Sequence, residues 1–334
     1  MESYPEADPR RAAAVRLVLT GDTRATGAAD MRMETFRRHI DGQGLCLALV
    51  VGVHSPRKPS QLRSIAKDAG LLTAAAVIKS PGRTGIVILP PLEVSRADGD
   101  APQALVACLR HLIDLARQRA IVLIQALLVP GDQLECRLLT EAGFSFLAEL
   151  IYADRRGDIP ALPADVESGV QLLSYRPERH YLFLRGLEAS YEGSRDCPRL
   201  TGMRRTEDVL AGHRATGLHD PDLWLVAVKD EQVLGILLLT RVPQRDGLEI
   251  VYMGVSRAAR GRGVGDRLIL EAVAEGRRRA CPLLTLAVDS ANAPARRLYA
   301  RWGFVETERR LAWIADCRVR DVCEVPDRAE TQRA

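Results

Sequence analysis

Lysine is almost missing from this chain. Of its 47 cationic side chains only Lys58, Lys67, Lys79 and Lys229 are lysines, and the rest are arginines. That bias reads as codon composition rather than as a binding face. The formal net charge of +4 over 334 residues is too small to call for a nucleic-acid partner. No stretch reaches the ~18 consecutive apolar residues of a membrane-spanning helix, so no membrane partner is expected. The start, Met1 to Arg11, has no apolar core of a secretory signal. No CxxC pair occurs among the seven cysteines, scattered from Cys46 to Cys323. An odd, dispersed set fits a reducing cytoplasm and offers no structural zinc, so no metal is expected.

What is present is an ordinary soluble composition, 47% hydrophobic and 27% charged. The length favours two domains. A charged, proline-bearing break at Arg155–Asp165 reads as a linker. The expected division is a first domain over 1–155, a linker over 156–168, a second domain over 169–317 and a charged tail over 318–334.

Each half follows an α/β pattern of strands and amphipathic helices. In the second half the spacing predicts strands at Glu249–Val255, Leu283–Val288 and Phe304–Ile314, with helices at Gly265–Arg279 and Pro294–Trp302. Subtracting 160 from residues 260–304 lays this half on the first without a gap. Arg277, Arg279, Ala280, Leu283, Arg297, Leu298, Gly303 and Phe304 then fall on the same residue types. Helix faces, strands and the closing Gly-Phe coincide as well, which reads as a duplicated domain.

The segment Arg260-Gly261-Arg262-Gly263-Val264-Gly265 directly follows a strand and opens a helix. Glycines let the backbone turn tightly and approach a ligand. A helix start presents free N–H groups and partial positive charge, so the natural guest is a phosphate or pyrophosphate. No Gly-Lys-Ser/Thr follows, which removes the Walker type of site. Asp266 stands where the dinucleotide fingerprint needs glycine, and the preceding strand comes late in its domain.

Val255-x4-Arg260-Gly-Arg-Gly-Val-Gly265, followed by Asn292-x2-Ala295-Arg-Arg-Leu-Tyr299-x3-Gly303-Phe304, resembles the GNAT acyl-CoA-dependent N-acetyltransferases. Glu249-Ile-Val-Tyr-Met-Gly-Val255 resembles the corresponding strand of the mycothiol synthases, which are tandem members of that family. The resemblance implies an α/β fold with a mixed sheet, built from two tandem GNAT-like domains. Two central strands, Glu249–Val255 and Leu283–Val288, would splay apart to admit acetyl-CoA. Its pantetheine arm would pair with the backbone of Met253, Gly254 and Val255. Its pyrophosphate would sit on the N–H groups of Arg262 to Asp266, with Arg260 and Arg262 adding charge and Asn292 holding the arm.

The resemblance also implies that Tyr299 protonates the departing thiolate as general acid. Glu249 is the candidate base. Strand alternation puts Glu249, Val251, Met253 and Val255 on one face, from which the carboxylate would reach an amine, through water if needed.

Under the 160 offset the first half has lost this loop. Its counterpart, Asp100 to Leu105, has no glycine and carries Pro102; Leu139 replaces Tyr299 and Asp132 replaces Asn292. This half is expected to be degenerate, supporting the second or walling its cleft. In the second half Glu192, Asp196 and Asp220 are candidates to hold a cationic amine. Cys197, a lone cysteine, is expected to be inert.

The function these features favour is direct acetyl transfer to an amine, of a small molecule first and of a protein as the alternative. A non-catalytic acyl-CoA binder or sensor would need only the loop, whereas Glu249 and Tyr299 point to chemistry. An aminoacyl transferase using charged tRNA needs a basic groove that +4 does not supply. A homodimer is the one further partner left open.

Overall fold

The fold is seen in a computed structural model that describes residues 2–5, 8–20, 46–54, 71–91, 99–131, 133–157 and 168–318. Most of the expected linker, the expected tail beyond Arg318, and Asp132 lie outside the described residues.

The described strands are β1 (Glu2–Ser3), β2 (Cys46–His54), β3 (Leu71–Ser80), β4 (Thr84–Ile88), β5 (Leu123–Leu128) and β6 (Ser145–Arg155) in the first half. The second half adds β7 (Gln171–Ser174), β8 (Trp224–Lys229), β9 (Gln232–Val242), β10 (Gly247–Val255), β11 (Leu283–Asp289) and β12 (Val305–Asp316). The helices are α1 (Pro9–Thr20), α2 (Ala101–Gln118), α3 (Gln133–Ala142), α4 (His180–Tyr191), α5 (Thr206–Arg214), α6 (Val264–Arg278) and α7 (Ala293–Arg301).

The duplicated pattern is visible in the element bounds. α2 and α6 end at Gln118 and Arg278, and β5, α3 and β6 are followed 160 residues later by β11, α7 and β12. The turns repeat too. Ala120 and Ala280, just after the paired helices, both sit at positive φ, as do Gly143 and Gly303.

All twelve strands form one mixed sheet in the order β1-β2-β3-β4-β5-β12-β6-β11-β10-β9-β8-β7. Only β4 with β5 and β10 with β11 run parallel. The order shows that the halves exchange their last strands. β6, from the first half, pairs antiparallel with β11 of the second. β12, from the second half, pairs antiparallel with β5 of the first, and β6 and β12 pair with each other in the middle.

The exchanged strands complete the foreign cores. Ile151 and Ala153 of β6 pack with Leu268, Val273 and Tyr299, while Trp313 and Ala315 of β12 pack with Leu109, Leu112 and Phe144. Each large apolar side chain buried this way contributes about 1.5–3 kcal/mol. Arg155, at the end of β6 and buried, donates from Nε to the carbonyl of Trp302 at 2.7 Å, closing the C-terminal end of α7.

In the second half the sheet is covered on both faces, which is why β9 reads as a nearly unbroken apolar run. On one side lie α6 and α7, burying Val264, Leu268, Ile269 and Ala272. On the other lie α4 and α5, burying Phe183, Leu187, Val209 and Leu210. In the first half α2 starts at Ala101, three residues earlier than α6 does under the offset. Ala101 is fully buried and packs against Leu72 and Ala104. The stretch that forms a loop before α6 is therefore helix in α2, with an apolar plug at its start.

The β3–β4 turn of the first half presses on α5 of the second. Gly82 has φ +78°, and a Cβ there would lie 2.0 Å from the carbonyl oxygen of Asp208. Gly82→Ala is expected to lower the urea midpoint by an amount worth about 2 kcal/mol, from strain and lost contact together. Gly99→Ala, which meets nothing within 4 Å, should leave the midpoint unchanged.

Candidate active site

β10 and β11 hydrogen-bond in parallel only from Gly247–Leu283 to Ile250–Leu286. Beyond that point they part, while β10 continues along β9 to Val255. The backbone edge of Val251 to Val255 that would face β11 is left without a strand partner. Such an edge offers N–H and C=O groups to an extended ligand.

The parting opens a cleft of about 730 Å³. Its walls include Met253, Gly254 and Val255 on β10, Ala287 and Val288 on β11, the loop from Arg260 to Asp266, and Asn292, Leu298 and Tyr299. A second cavity of about 750 Å³ lies by Arg117, Ser145, Arg199 and Arg318, and its lining includes no strand edge of this kind.

The glycine loop forms the mouth. Gly261 and Gly263 have φ +79° and +73°, the left-handed region that side-chain-bearing residues rarely occupy. Gly263 is the N-cap of α6, so the following N–H groups of Val264, Gly265 and Asp266 begin the helix without internal partners. A Cβ on Gly265 would stand 3.0 Å from Leu298, so this glycine lets α6 and α7 meet closely.

Two expected ligands, Arg260 and Asn292, use their side chains differently from the sequence reading. The Arg260 guanidinium is committed to carbonyl oxygens, donating to Val255 (3.2 Å), Gly193 (3.0 Å), Ser190 (3.0 Å) and Glu192 (2.7 Å). It ties the loop to the C-terminal end of α4 rather than reaching toward a phosphate. Asp266 turns its carboxylate inward, accepting from Arg301 at 2.7 and 2.8 Å and from Trp302 Nε1 at 2.8 Å. That leaves only its backbone for an anion. Asn292 accepts from the Ala295 N–H at 3.4 Å, capping α7, and its side chain also hydrogen-bonds Asp196. Arg262 is exposed at the mouth, with Nη1 within 3.4 Å of the Ala258 carbonyl.

Tyr299 lines the cleft from α7 with 8% of its surface exposed, its ring edge-on to Phe304 at 5.5 Å. Burial, with the carboxylate of Asp196 second, pushes its phenol well above the usual tyrosine range. Such a group stays protonated at any physiological pH.

Asp196 belongs to a tight cluster at the cleft's inner end. It accepts from the Asp289 N–H at 3.1 Å, and Asp289 in turn accepts from the Cys197 N–H at 3.1 Å. Burial raises the Asp196 carboxyl, offset in part by the hydrogen bond from the Asp289 N–H. Cys197 sits at φ +43°, its thiol pushed up to about 12 by burial, Asp196 and Asp289. A thiol held so high is a poor nucleophile, consistent with an inert role. Of the other two carboxylates proposed to hold an amine, Glu192 pairs with Arg257 at 3.0 Å and Asp220 with Arg279 at 3.3 Å.

Glu249 lies at the closed end of the parallel pair, opposite Thr285. Burial raises its carboxyl, offset in part by Arg245. The face expected for it needs correction. Ile250 pairs with Leu239 but Tyr252 with Leu238, so Val251 is an extra, bulged residue. One inserted residue shifts the pleat by one. Glu249 therefore shares a face with Tyr252, whereas Met253 and Val255 lie with Ile250 toward α6.

On that corrected face stand residues the sequence reading passed over. Tyr252 shares a 2.8 Å hydrogen bond with Ser190 Oγ, and burial raises its phenol. His213 on α5 tilts over the Tyr252 ring, centroids 5.3 Å apart. Burial, with Arg204 second, pushes its imidazole down to about 3, so the ring is neutral. Its Nε2 has no hydrogen-bond partner among the described residues. The available signal was Tyr252 itself, the one aromatic residue of β10.

A mixed sheet parted between two parallel strands, with a glycine-capped helix at the opening, defines a GNAT-type fold with a cleft for an extended, phosphate-bearing ligand. Residues 187–304 match the sequence profile of the Acetyltransferase (GNAT) family, and this half of the chain is a domain of that family. The mycothiol acetyltransferase of Brachybacterium faecium is 26% identical over 174 residues, covering 50% of this chain and 51% of the relative. That of Thermomonospora curvata is 31% identical over 147 residues, covering 44% and 48%. The chain thus spans about half the length of these curated relatives.

Among solved structures, a GCN5-related N-acetyltransferase from Sphaerobacter thermophilus superposes with a TM-score of 0.58 at 20% identity, covering 95% of this chain and 96% of that one. A tandem GNAT protein from the clavulanic acid biosynthesis pathway gives 0.51 at 16% identity, covering 96% and 99%. At these identities the likeness is one of fold, and the fold is the tandem GNAT arrangement. Among the described residues no cluster of His, Cys, Asp and Glu has the makings of a metal site, and no helix is long and apolar enough to cross a membrane.

Gly263→Asp forces a side chain onto φ +73° and places a carboxylate at the N-terminal end of α6. Titration calorimetry should show acetyl-CoA binding weakened by at least 100-fold, with the circular dichroism spectrum retained.

Proposed function

We propose that this chain is an acetyl-CoA-dependent N-acetyltransferase that passes the acetyl group directly to an amine of a small molecule, with the chemistry in its second half. The observation that carries the proposal is a single cleft in which an unpaired strand edge, a glycine-capped helix start and the protonated phenol of Tyr299 converge. The residues present fit acetyl-CoA. The edge from Val251 to Val255 would take the pantetheine amides, and the N–H groups of Val264, Gly265 and Asp266 the pyrophosphate.

Bound acetyl-CoA supplies the acetyl group as a thioester. Glu249, its carboxyl raised by burial, takes the proton from the attacking amine. Tyr299, buried and neutral, gives its proton to the departing thiolate. With Cys197 held as a thiol, the transfer needs no acyl-enzyme.

The apolar plug at the start of α2, and Leu139 where the second half has Tyr299, support a first half without chemistry of its own. The name borne by the two curated relatives supports acetyl transfer. At about half their length, the match leaves the identity of the amine to this chain's own cleft.

Glu249 must be deprotonated and Tyr299 protonated, so the rate should rise with pH through the Glu249 carboxyl and fall only above the ordinary tyrosine range. Tyr299→Phe is expected to lower kcat about 100-fold while acetyl-CoA affinity holds. Glu249→Gln should remove the acidic limb of the kcat/KM profile, read by thiol release against a panel of amines. Full turnover in both variants would remove these residues from the chemistry.

A further inference from the structure

The strand that the first half lends to the second carries charge to the edge of the proposed reaction centre. β6 runs antiparallel to β11, placing Asp154 opposite Thr285, and Thr285 stands opposite Glu249 on its other side. Glu249, Thr285 and Asp154 therefore form one row across three strands on one face. Tyr152 follows on the same face, opposite Ala287, which lines the cleft.

Arg245 reaches this row from the turn between β9 and β10. Its Nη2 lies 2.5 Å from Asp154 Oδ2, so one guanidinium links the halves beside Glu249.

We propose that Asp154 of the first half sets the charge state of Glu249 in the second by holding Arg245 in this ion pair. Asp154 and Arg245 are positioning residues in this scheme, and their effect on turnover rests on Glu249 being the base. Arg245 favours the carboxylate form of Glu249. Engaged by Asp154, it acts as half of a nearly neutral pair. Released, it would present its full charge to Glu249 and make that group a weaker proton acceptor. Asp154 thus keeps Glu249 basic.

The other groups around Glu249 leave this pair in control. Thr240 on β9 and Thr285 on β11 are uncharged, and Thr240 donates to the Leu218 carbonyl. Tyr152 is a phenol raised by burial first and by Glu249 second. Glu308 and Arg310 on β12, which also act on Tyr152, are paired with each other. On α5, His213 is neutral.

The test reads Glu249 directly, by carboxyl carbon NMR of the full chain labelled at glutamate, with Glu249→Gln identifying the signal. Asp154→Asn should lower the Glu249 midpoint by about half a pH unit, and Arg245→Met should raise it by a similar amount. The double variant should return toward the unsubstituted midpoint, because removing both members of a nearly neutral pair leaves Glu249 with almost the field it started with. An unmoved midpoint in Asp154→Asn overturns the proposal. So does a double variant whose midpoint stays where Arg245→Met alone puts it.

The acidic limb of the kcat/KM profile, recorded in parallel, should move with the NMR midpoint. A limb that stays still while the midpoint moves would support the ion-pair control and refute Glu249 as the base. Both substitutions are at positions accessible to solvent, and unchanged urea midpoints would show that the shifts are electrostatic.

Discussion

Everything in this molecule hangs on the antiparallel ladder between β6 and β12. These are the last strands of the two halves, and each sits beyond its own half's sheet. Were they to fold back onto their own halves, β6 would lie beside β5 and β12 beside β11. Because they cross, each core is finished by side chains from the other half, Ile151 and Ala153 one way and Trp313 and Ala315 the other. Removing either half would strip a wall from the remaining core and leave a strand edge open, an arrangement prone to association.

The cleft follows from that arrangement. β11 has its ladder partner β6 on one side, so it does not need β10 along its whole length and can part from it after Leu286. The bulge at Val251 then rotates Tyr252 to the Glu249 face and sends Met253 and Val255 to the opposite one. Tyr299 on α7 and Glu249 on β10 thus stand toward one gap from opposite faces of the sheet. The loop and the roof over the gap are tied by Arg260, whose donors span the end of β10 and the end of α4.

Much of this was legible in the residues. The glycine run before α6 and the tyrosine four residues before Gly303 mark the loop and the helix that line the cleft, because helix starts and ends have local chemical signatures. The 160-residue offset marks the duplication, and α2, β5, α3 and β6 recur at that interval. The partner of each strand was not legible. A strand that fits its own half also fits its copy, since both offer the same pattern of apolar side chains.

The bulge left no trace either, as one extra residue in β10 leaves an alternation that reads equally well without it. Nor did the sequence say what Arg260, Asp266 and Asn292 hold. Their partners, on α4, on α7 and at Asp196, lie far away along the chain or depend on side-chain direction. The pairing of Arg245 with Asp154 spans the two halves and depends on the same crossing of strands.

The crossed strands also bear on how such a chain can change over time. Two identical single domains trading their final strands would build this same sheet about a two-fold axis. Joining them end to end turns an association that depends on concentration into a permanent one. The two copies are then free to diverge. The second copy keeps its glycine loop, while the first has helix with Ala101 and Pro102 at the same place. What the first copy cannot shed is its last strand. Genetic drift should therefore have run freely through the start of α2 and been checked along β6, so that the most constrained stretch of the first half is the one that no longer belongs to it.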